Sequence, residues 1–481
     1  TYAHEEGRRI YERALRFVIL LAAKHRFPDA QLHIEHSMGQ GVYMELDGMR
    51  LTPPDVITLE EDMRQIIRED LPFSQHRWTR EEAIEYFEIT GQTDKSRLLG
   101  YRPYDHFNIY ECGGLHEYFY GAMLPSTGLT PVFRLQPRPP GMLMLLPDQA
   151  NPSQPARPLI APKHMAAFAQ SNYWCDVLGC SMAADLNDLI ASGGFRDFIR
   201  VNEALHDKSL AELAQDIINR DARAIFIAGP SSSGKTTFAN RLSIHLRVNG
   251  YRPMLISMDD FYRDRASLPL EADGRPDLEA LDALDVPRFK QVLHSLLEGR
   301  ETIMPRFNFI TGQSENYPKP VRIDHMQPLI IEGIHGLSPA LHEGFDPKVI
   351  CRIYISLLTS LNLDTHNRIR TTDSRLLRRI VRDYQFRNTR PEDTLLMWDS
   401  VRRGEERWIF PYQEQADFVF NSALHYELPV LKTISYDILR QVPQDHPQYI
   451  KCNRLLKILN YMLPVDDSAI SEIPPLSILR E

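Results

Sequence analysis

Residues 229–237 read GPSSSGKTT and satisfy G-x-x-x-x-G-K-[ST] with Gly229, Gly234, Lys235 and Thr236. Glycines at these places let the backbone wrap phosphate oxygens, the lysine reaches the β and γ phosphates, and the threonine hydroxyl binds Mg²⁺. Gly229, Ser231, Ser232, Ser233, Gly234, Lys235, Thr236 and Thr237 are therefore the candidate nucleotide-binding residues. Three further groups could act on a phosphate held there. SMDDFYR offers Asp259 or Asp260 as a base for an attacking hydroxyl, and PLIIEGIHG offers Glu332 as a Mg²⁺ partner. RLLRRIVRDYQFRNTR supplies Arg375, Arg378, Arg379, Arg382, Arg387 and Arg390, enough positive charge to close over a triphosphate. Each has a plainer reading: a solvated strand end, a charge at a helix start, a solvated basic helix.

These residues need a scaffold, and the apolar pattern supplies one. RAIFIAG, MLISMDD, PLIIEGIHG and VICRIYIS are short apolar runs of the kind buried in a parallel sheet, and helical segments separate them. The fold class expected is α/β, a doubly wound parallel sheet with its phosphate loop between a strand and the helix TTFANRLSIHL. Carboxylates at the C-terminal strand ends lie where ligands bind in such sheets. Residues 1–136 read instead as an α+β unit, with helical spacing in RRIYERALRFVILLAAKH and alternation in GVYMEL and FNIYEC. Pro137 to Pro162 is dense in proline, which resists helix and central strand, and is expected to be a linker or surface strap. The divisions expected are 1–136, a connector at 137–205, the phosphate-loop unit at 206–427 and a helical extension at 428–481. RLLKILNYML is that extension's core-forming run, suited to packing on the phosphate-loop unit or to dimerisation.

The whole chain, 481 residues with a net charge of −9, is long enough for two or three packed units. Its acidic balance argues against a generic nucleic-acid surface. Five scattered cysteines suggest no disulfide framework, and FVILLAA is far short of a membrane span, so a cytoplasmic setting is expected.

The segment from about 221 to 427 resembles the uridine kinase and phosphoribulokinase family. GPSSSGKTT, DDFYR, LEALDALD, RFNF, EGIHGL, RLLRRIVRD and ADFVFNSAL follow the family's order. The resemblance implies ATP and Mg²⁺, with Asp259 activating the acceptor hydroxyl, Lys235 on phosphate, and Thr236 and Glu332 on the metal. It implies Arg379 and Arg390 near the substrate and the transferred group, and Arg382 as a lid arginine. Tyr262 would line the acceptor pocket, and Glu279 stands where the family has an Asp on the ribose hydroxyls. In the base-reading stretch Phe307 and Phe309 keep aromatic positions, Gly312 stands at the family's His, and Trp398 aligns with a base-reading Gln. The lost polar readers weaken the case for uridine, leaving another nucleoside or a free or phosphorylated sugar as the acceptor.

Residues 7 to 136 resemble the second additional domain of threonyl-tRNA synthetases, where a C-x-x-x-H element faces an H-x-x-x-H element. Cys112 and His116 retain the first, in IYECGGLHEYFYG, while Phe17 and Leu21 stand at the histidines of the second. His33, His36 and His106 are the remaining candidates for a metal site with Cys112 and His116. The reading is a retained fold without editing chemistry, serving to bind a small ligand or RNA, to dimerise the protein or to regulate the kinase. Synthetases of this type often carry a small ubiquitin-like domain upstream, and a chain starting at Thr1 leaves room for more.

An ATP- and Mg²⁺-dependent kinase acting on a small acceptor is thus the leading expectation, with no membrane partner. A nucleotide-dependent switch on tRNA or another RNA, and a residual aminoacyl-tRNA hydrolase at Cys112 and His116, are the competitors.

Overall fold

The computed structural model describes residues 1–270, 274 and 276–480. The chain opens with α1 (Glu5–Arg26), whose first turn is acidic and last turn basic, matching the helix dipole. Its apolar run Phe17–Ala23 is buried. There follow β1 (Leu32–Met38), β2 (Gly41–Leu46) and α2 (Pro53–Glu69), the helix started by a Thr52–Asp55 capping box with Pro53 in the first turn. Next come β3 (Ser74–Thr79), α3 (Arg80–Ile89), α4 (Thr93–Gly100), β4 (His106–Cys112) and β5 (Leu115–Glu117). Strands β6 (Arg134–Arg138) and β7 (Gly141–Leu145) complete an antiparallel sheet of order β1-β2-β7-β6, and β3-β4-β5 form a second.

The expected boundary at 136 is too early. Pro137 lies on edge strand β6, where a missing N–H is tolerated, and Pro139 and Pro140 make the turn. GMLML itself has no proline and is buried throughout, between β2 and β6. The irregular strap is therefore 146–161, which runs without helix or strand. Three helices follow, α5 (Pro162–Leu178), α6 (Ala183–Ala191) and α7 (Phe195–Asn219). The boundary expected at 205 falls inside α7, which buries Phe195, Phe198 and Ile199 in one core and Leu210, Leu213 and Ile217 in another.

The second half is laid on β8 (Ala224–Ala228), α8 (Lys235–Val248), β9 (Met254–Ser257), α9 (Val286–Leu297), β10 (Pro305–Asn308), β11 (Gln313–Asn316), β12 (Leu329–Glu332), α10 (Pro339–His342) and β13 (Ile350–Ser356). It continues through β14 (Asn362–Asp364), β15 (Asn367–Arg368), α11 (Thr371–Arg387), α12 (Pro391–Trp408) and β16 (Phe418–Asn421). The five strands β16-β13-β8-β12-β9 pair in parallel throughout, the sheet expected from the apolar runs. Helices cover both faces, so central β8, AIFIA, is wholly buried. In register, Glu332 stands opposite Ser257 on one side and Ile227 on the other, at the C-terminal sheet edge.

The tail, α13 (Glu427–Arg440), α14 (Tyr449–Leu459) and α15 (Asp467–Ser471), joins a core common to both halves. Phe87 and Ile109 from the N-terminal half, Leu376 and Ile380 from α11, and Leu455 and Leu459 from α14 share that core. Polar contacts cross the same seam: Ile34 N–H donates to the Thr365 carbonyl at 2.9 Å, and buried Glu117 lies within hydrogen-bond distance of both Lys95 and His366. Among the described residues, no helix is long and apolar enough to cross a membrane.

Candidate active site

The phosphate loop is shaped by sterics before chemistry. A Cβ on Gly229 would meet the Ile355 carbonyl oxygen at 2.1 Å, and Gly234 adopts φ +82°, so both positions require glycine. Lys235 begins α8 and donates to the Gly229 and Pro230 carbonyls at 3.0 and 3.3 Å. The Oγ atoms of Ser232 and Ser233 are buried and make no hydrogen bond among the described residues. Thr237 lies in the first turn of α8. A helix N-terminus, a lysine and hydroxyls without partners together suit an anion of several oxygens.

Three acids ring the loop. Thr236 and Ser257 each donate to Glu332 Oε1 at 3.3 Å. Burial raises the Glu332 carboxyl above its usual value, against the pull of Lys235. Asp259 follows β9 in a short 3-10 turn begun by the Ser257 hydroxyl. Its carboxyl is open to the cleft yet crowded by protein, and this desolvation raises it, opposed by Lys235 and then Arg387. Glu279 is pushed up to about 7, by burial first and by the Glu405 carboxylate second. Thr236, Ser257 and Glu332 form an all-oxygen donor group of the type that Mg²⁺ prefers.

Beside Asp259 lies an aromatic wall. Tyr262 meets Phe307 edge-on at 5.6 Å, and Phe307 meets Phe309 at 5.0 Å, with Phe309 reaching solvent. The Tyr262 hydroxyl donates to the Leu278 carbonyl, one residue before Glu279. Gly312 closes the β10–β11 turn at φ +71°, and a Cβ there would meet Arg265 at 2.9 Å. Arg265 thus fills space that a larger side chain at 312 would need.

The arginines of α11 divide. Arg379 donates to Ser231 Oγ at 2.6 Å and faces Glu279, so it belongs to the site. Arg382 turns to Asp383 at 2.7 Å, and Arg390 is exposed at the start of α12. Arg378 is paired with Glu427 away from the loop. Trp398 departs from its expected place: it is 2% exposed in the shared core, under the Arg375 guanidinium at 5.3 Å, whereas Tyr262 and Phe307 pack in a separate cluster. Its bulk and its position facing inward from α12 explain this.

Sequence reasoning missed Glu405. It is buried, pairs with Arg375 and Arg402, and accepts the Ser231 N–H at 3.0 Å, so that α11 and α12 grip the phosphate loop from behind. Nothing in RRGEERW marks it out; only the tertiary pairing does.

The N-terminal motif fares differently. Cys112 pairs across the β4–β5 hairpin with Leu115, and Glu111 with His116, which puts Cys112 and His116 on opposite faces. Cys112 is fully buried, and burial pushes its thiol up to about 12. His116 packs among His76, Trp78 and Tyr86. Phe17 packs at a tilt against Phe73 and Phe119, and Leu21 presses on Gly113. His33 pairs with Asp47, His36 stacks on Phe168 and His106 is exposed; among the described residues no His, Cys, Asp and Glu group is disposed to hold a metal.

Comparison with known proteins agrees with this division. Residues 224–428 match the Phosphoribulokinase / Uridine kinase family. In the N-terminal region the chain is 35% identical to the threonine–tRNA ligase of Desulforamulus reducens over 130 residues, 27% of this chain and 20% of the ligase. The Symbiobacterium thermophilum threonine–tRNA ligase is 32% identical over 137 residues, 28% of this chain and 21% of that one. The chain thus spans about a fifth of the length of the curated relatives it matches. Among solved structures, a possible uridine kinase from Bacillus stearothermophilus is 19% identical, covering 44% of this chain and 98% of its own at a TM-score of 0.31. Residues 224–428 therefore form a domain of the phosphoribulokinase and uridine kinase family, carried behind a region related in sequence to threonine–tRNA ligases.

Proposed function

We propose that the protein is an ATP- and Mg²⁺-dependent phosphotransferase that phosphorylates a hydroxyl of a nucleoside or a related sugar. The observation that carries this is the placement of Asp259 between the phosphate loop and an aromatic pocket, its carboxyl opposed by Lys235. An acceptor resting against Tyr262, Phe307 and Phe309 brings its hydroxyl to Asp259, which takes the proton as the oxygen forms its bond to the γ phosphorus and the bond to ADP breaks. Lys235 and Arg379 hold the charge that develops on the transferred group. Mg²⁺, when bound through Thr236 and Glu332, supplies charge neutralisation to the phosphate oxygens. Glu279 accepts from acceptor hydroxyls, with Arg379 and Lys235 favouring its ionised form against burial and Glu405.

The apolar wall and Gly312 favour recognition of shape over base identity. Apolar pockets separate similar ligands by only about 10–200-fold. The test is ADP release from ATP and Mg²⁺ with a panel of nucleosides, sugars and sugar phosphates, beside Asp259→Asn. Stimulation by one acceptor, lost in the variant, supports the reading; a rate that no acceptor raises sinks it.

A further inference from the structure

Behind α11, a cavity of about 180 Å³ is enclosed by α1, the β15–α11 junction and α14, and its lining includes no residue of the phosphate loop. Its chemistry is lopsided. Arg16, Arg368 and Arg370 all turn to one carboxylate, Glu12, with Arg368 at 3.6 Å and the other two in direct hydrogen-bonded pairs. Arg13 lines the same space, its guanidinium donating to the Ala122 carbonyl, and Lys457 stands at its rim. The neighbouring Arg9 and Arg454 are already balanced by Glu5, Glu6 and Asp373.

A buried charge is costly unless paired, and one carboxylate cannot neutralise this set. Two polar atoms record the shortfall. The Nε atoms of Arg16 and Arg368 are buried without a hydrogen-bond partner among the described residues, on side chains 9% and 5% exposed. Burial also drags the Arg368 and Arg370 guanidiniums down to about 9 and 10, although Glu12 pulls the other way. Guanidinium forks of this kind match the oxygens of phosphate, and the small volume suits one such group.

We propose that this cavity is a binding site for a small phosphate-type anion, separate from the phosphate loop, at the joint between the N-terminal half and α11. Arg370 is the N-cap residue of α11, which carries Arg375 and Arg379 to Ser231. Occupancy there bears on the element that grips the nucleotide loop, and gives the N-terminal half a regulatory role that needs no catalysis of its own.

The test uses the full chain carrying Lys235→Ala, which weakens anion binding at the phosphate loop and does not depend on the kinase reading. Inorganic phosphate and glycerol 3-phosphate are titrated separately by calorimetry, with thermal melts alongside. Saturable binding of either is expected, and the one that binds tells whether the site takes the free anion or a monoester. Adding Arg13→Gln weakens it at least tenfold, and Lys457→Gln, an exposed change that spares the fold, weakens it less. Glu12→Gln makes thermal stability more dependent on the anion. The proposal is overturned if neither anion binds saturably, or if binding is the same with and without Arg13→Gln and Lys457→Gln.

Discussion

The β4–β5 hairpin and the C-terminal edge of the parallel sheet each carry residues whose spacing spells chemistry, and only one assembles them. At the sheet edge, separate strands deliver Asp259, Glu332 and the phosphate loop to one cleft, because parallel strands all end on the same side. In the hairpin, Cys112 and His116 are close in sequence but pair with different partners across the turn, and their side chains part to opposite faces. The facing helix completes the contrast, for Phe17 and Leu21 are packed where the resemblance places histidines. A motif keeps its chemistry only where register and the opposing element keep its side chains together.

The sharpest way to break this comparison is Asp259→Asn set against His116→Ala. Loss of a positioned base lowers turnover by roughly 10²–10⁴-fold, and the isosteric amide leaves thermal stability near the parent's. His116→Ala leaves turnover unchanged. Steady-state kinetics on both decides, and a fully active Asp259→Asn would put the cleft on the same footing as the hairpin.

Stability is expected to divide the other way. Phe17→Ala removes a fully buried ring and costs about 3–5 kcal/mol in denaturant unfolding. Leu21→His, meant to restore the missing element, binds no zinc by calorimetry, since Cys112 points into the core on the other face of the hairpin. Zinc binding with a defined stoichiometry would show that the hairpin can be rebuilt into a site.

A finer probe of the cleft is its pH profile. Asp259 must be ionised to accept a proton, and its carboxyl is raised by desolvation, so kcat/KM falls on acidification at a pH above the ordinary aspartate value of about 3.9. Arg387 lowers that value, and Arg387→Gln therefore moves the acid limb to higher pH. An unmoved limb would assign it to another group.

The strands, the phosphate loop and the acids at the sheet edge were legible because each is written locally, as an apolar run followed by its candidate residue. The connector and the lid were not. Proline density marked 137–162 as irregular, yet GMLML within it is apolar and supplies an interior strand. Six arginines in one basic segment look alike in sequence, but Arg375 and Arg378 serve Glu405 and Glu427, and Arg379 alone of the three also reaches the loop's Ser231 hydroxyl. Such partners lie 30 and 49 residues away, and no local pattern encodes them. Trp398 was misplaced for a related reason: an aromatic on a helix reads equally as pocket or core until its neighbours are known.

The smallest effect belongs to Glu279, and it joins stability to recognition. Its carboxyl is held at about 7 in the folded protein against an ordinary 4.5, so between these values the folded state binds more protons than the unfolded chain. The contribution to stability is therefore unfavourable above this window and fades as pH falls through it. Glu279→Gln removes the charge that burial and Glu405 oppose, and is expected to stabilise the protein at pH 8 by on the order of 1 kcal/mol, with little gain at pH 4.5. If Glu279 also accepts from the acceptor's hydroxyls, the same variant raises the acceptor KM while leaving the KM for ATP unchanged. A gain in stability with both KM values unchanged would keep the electrostatic account and remove Glu279 from the acceptor site.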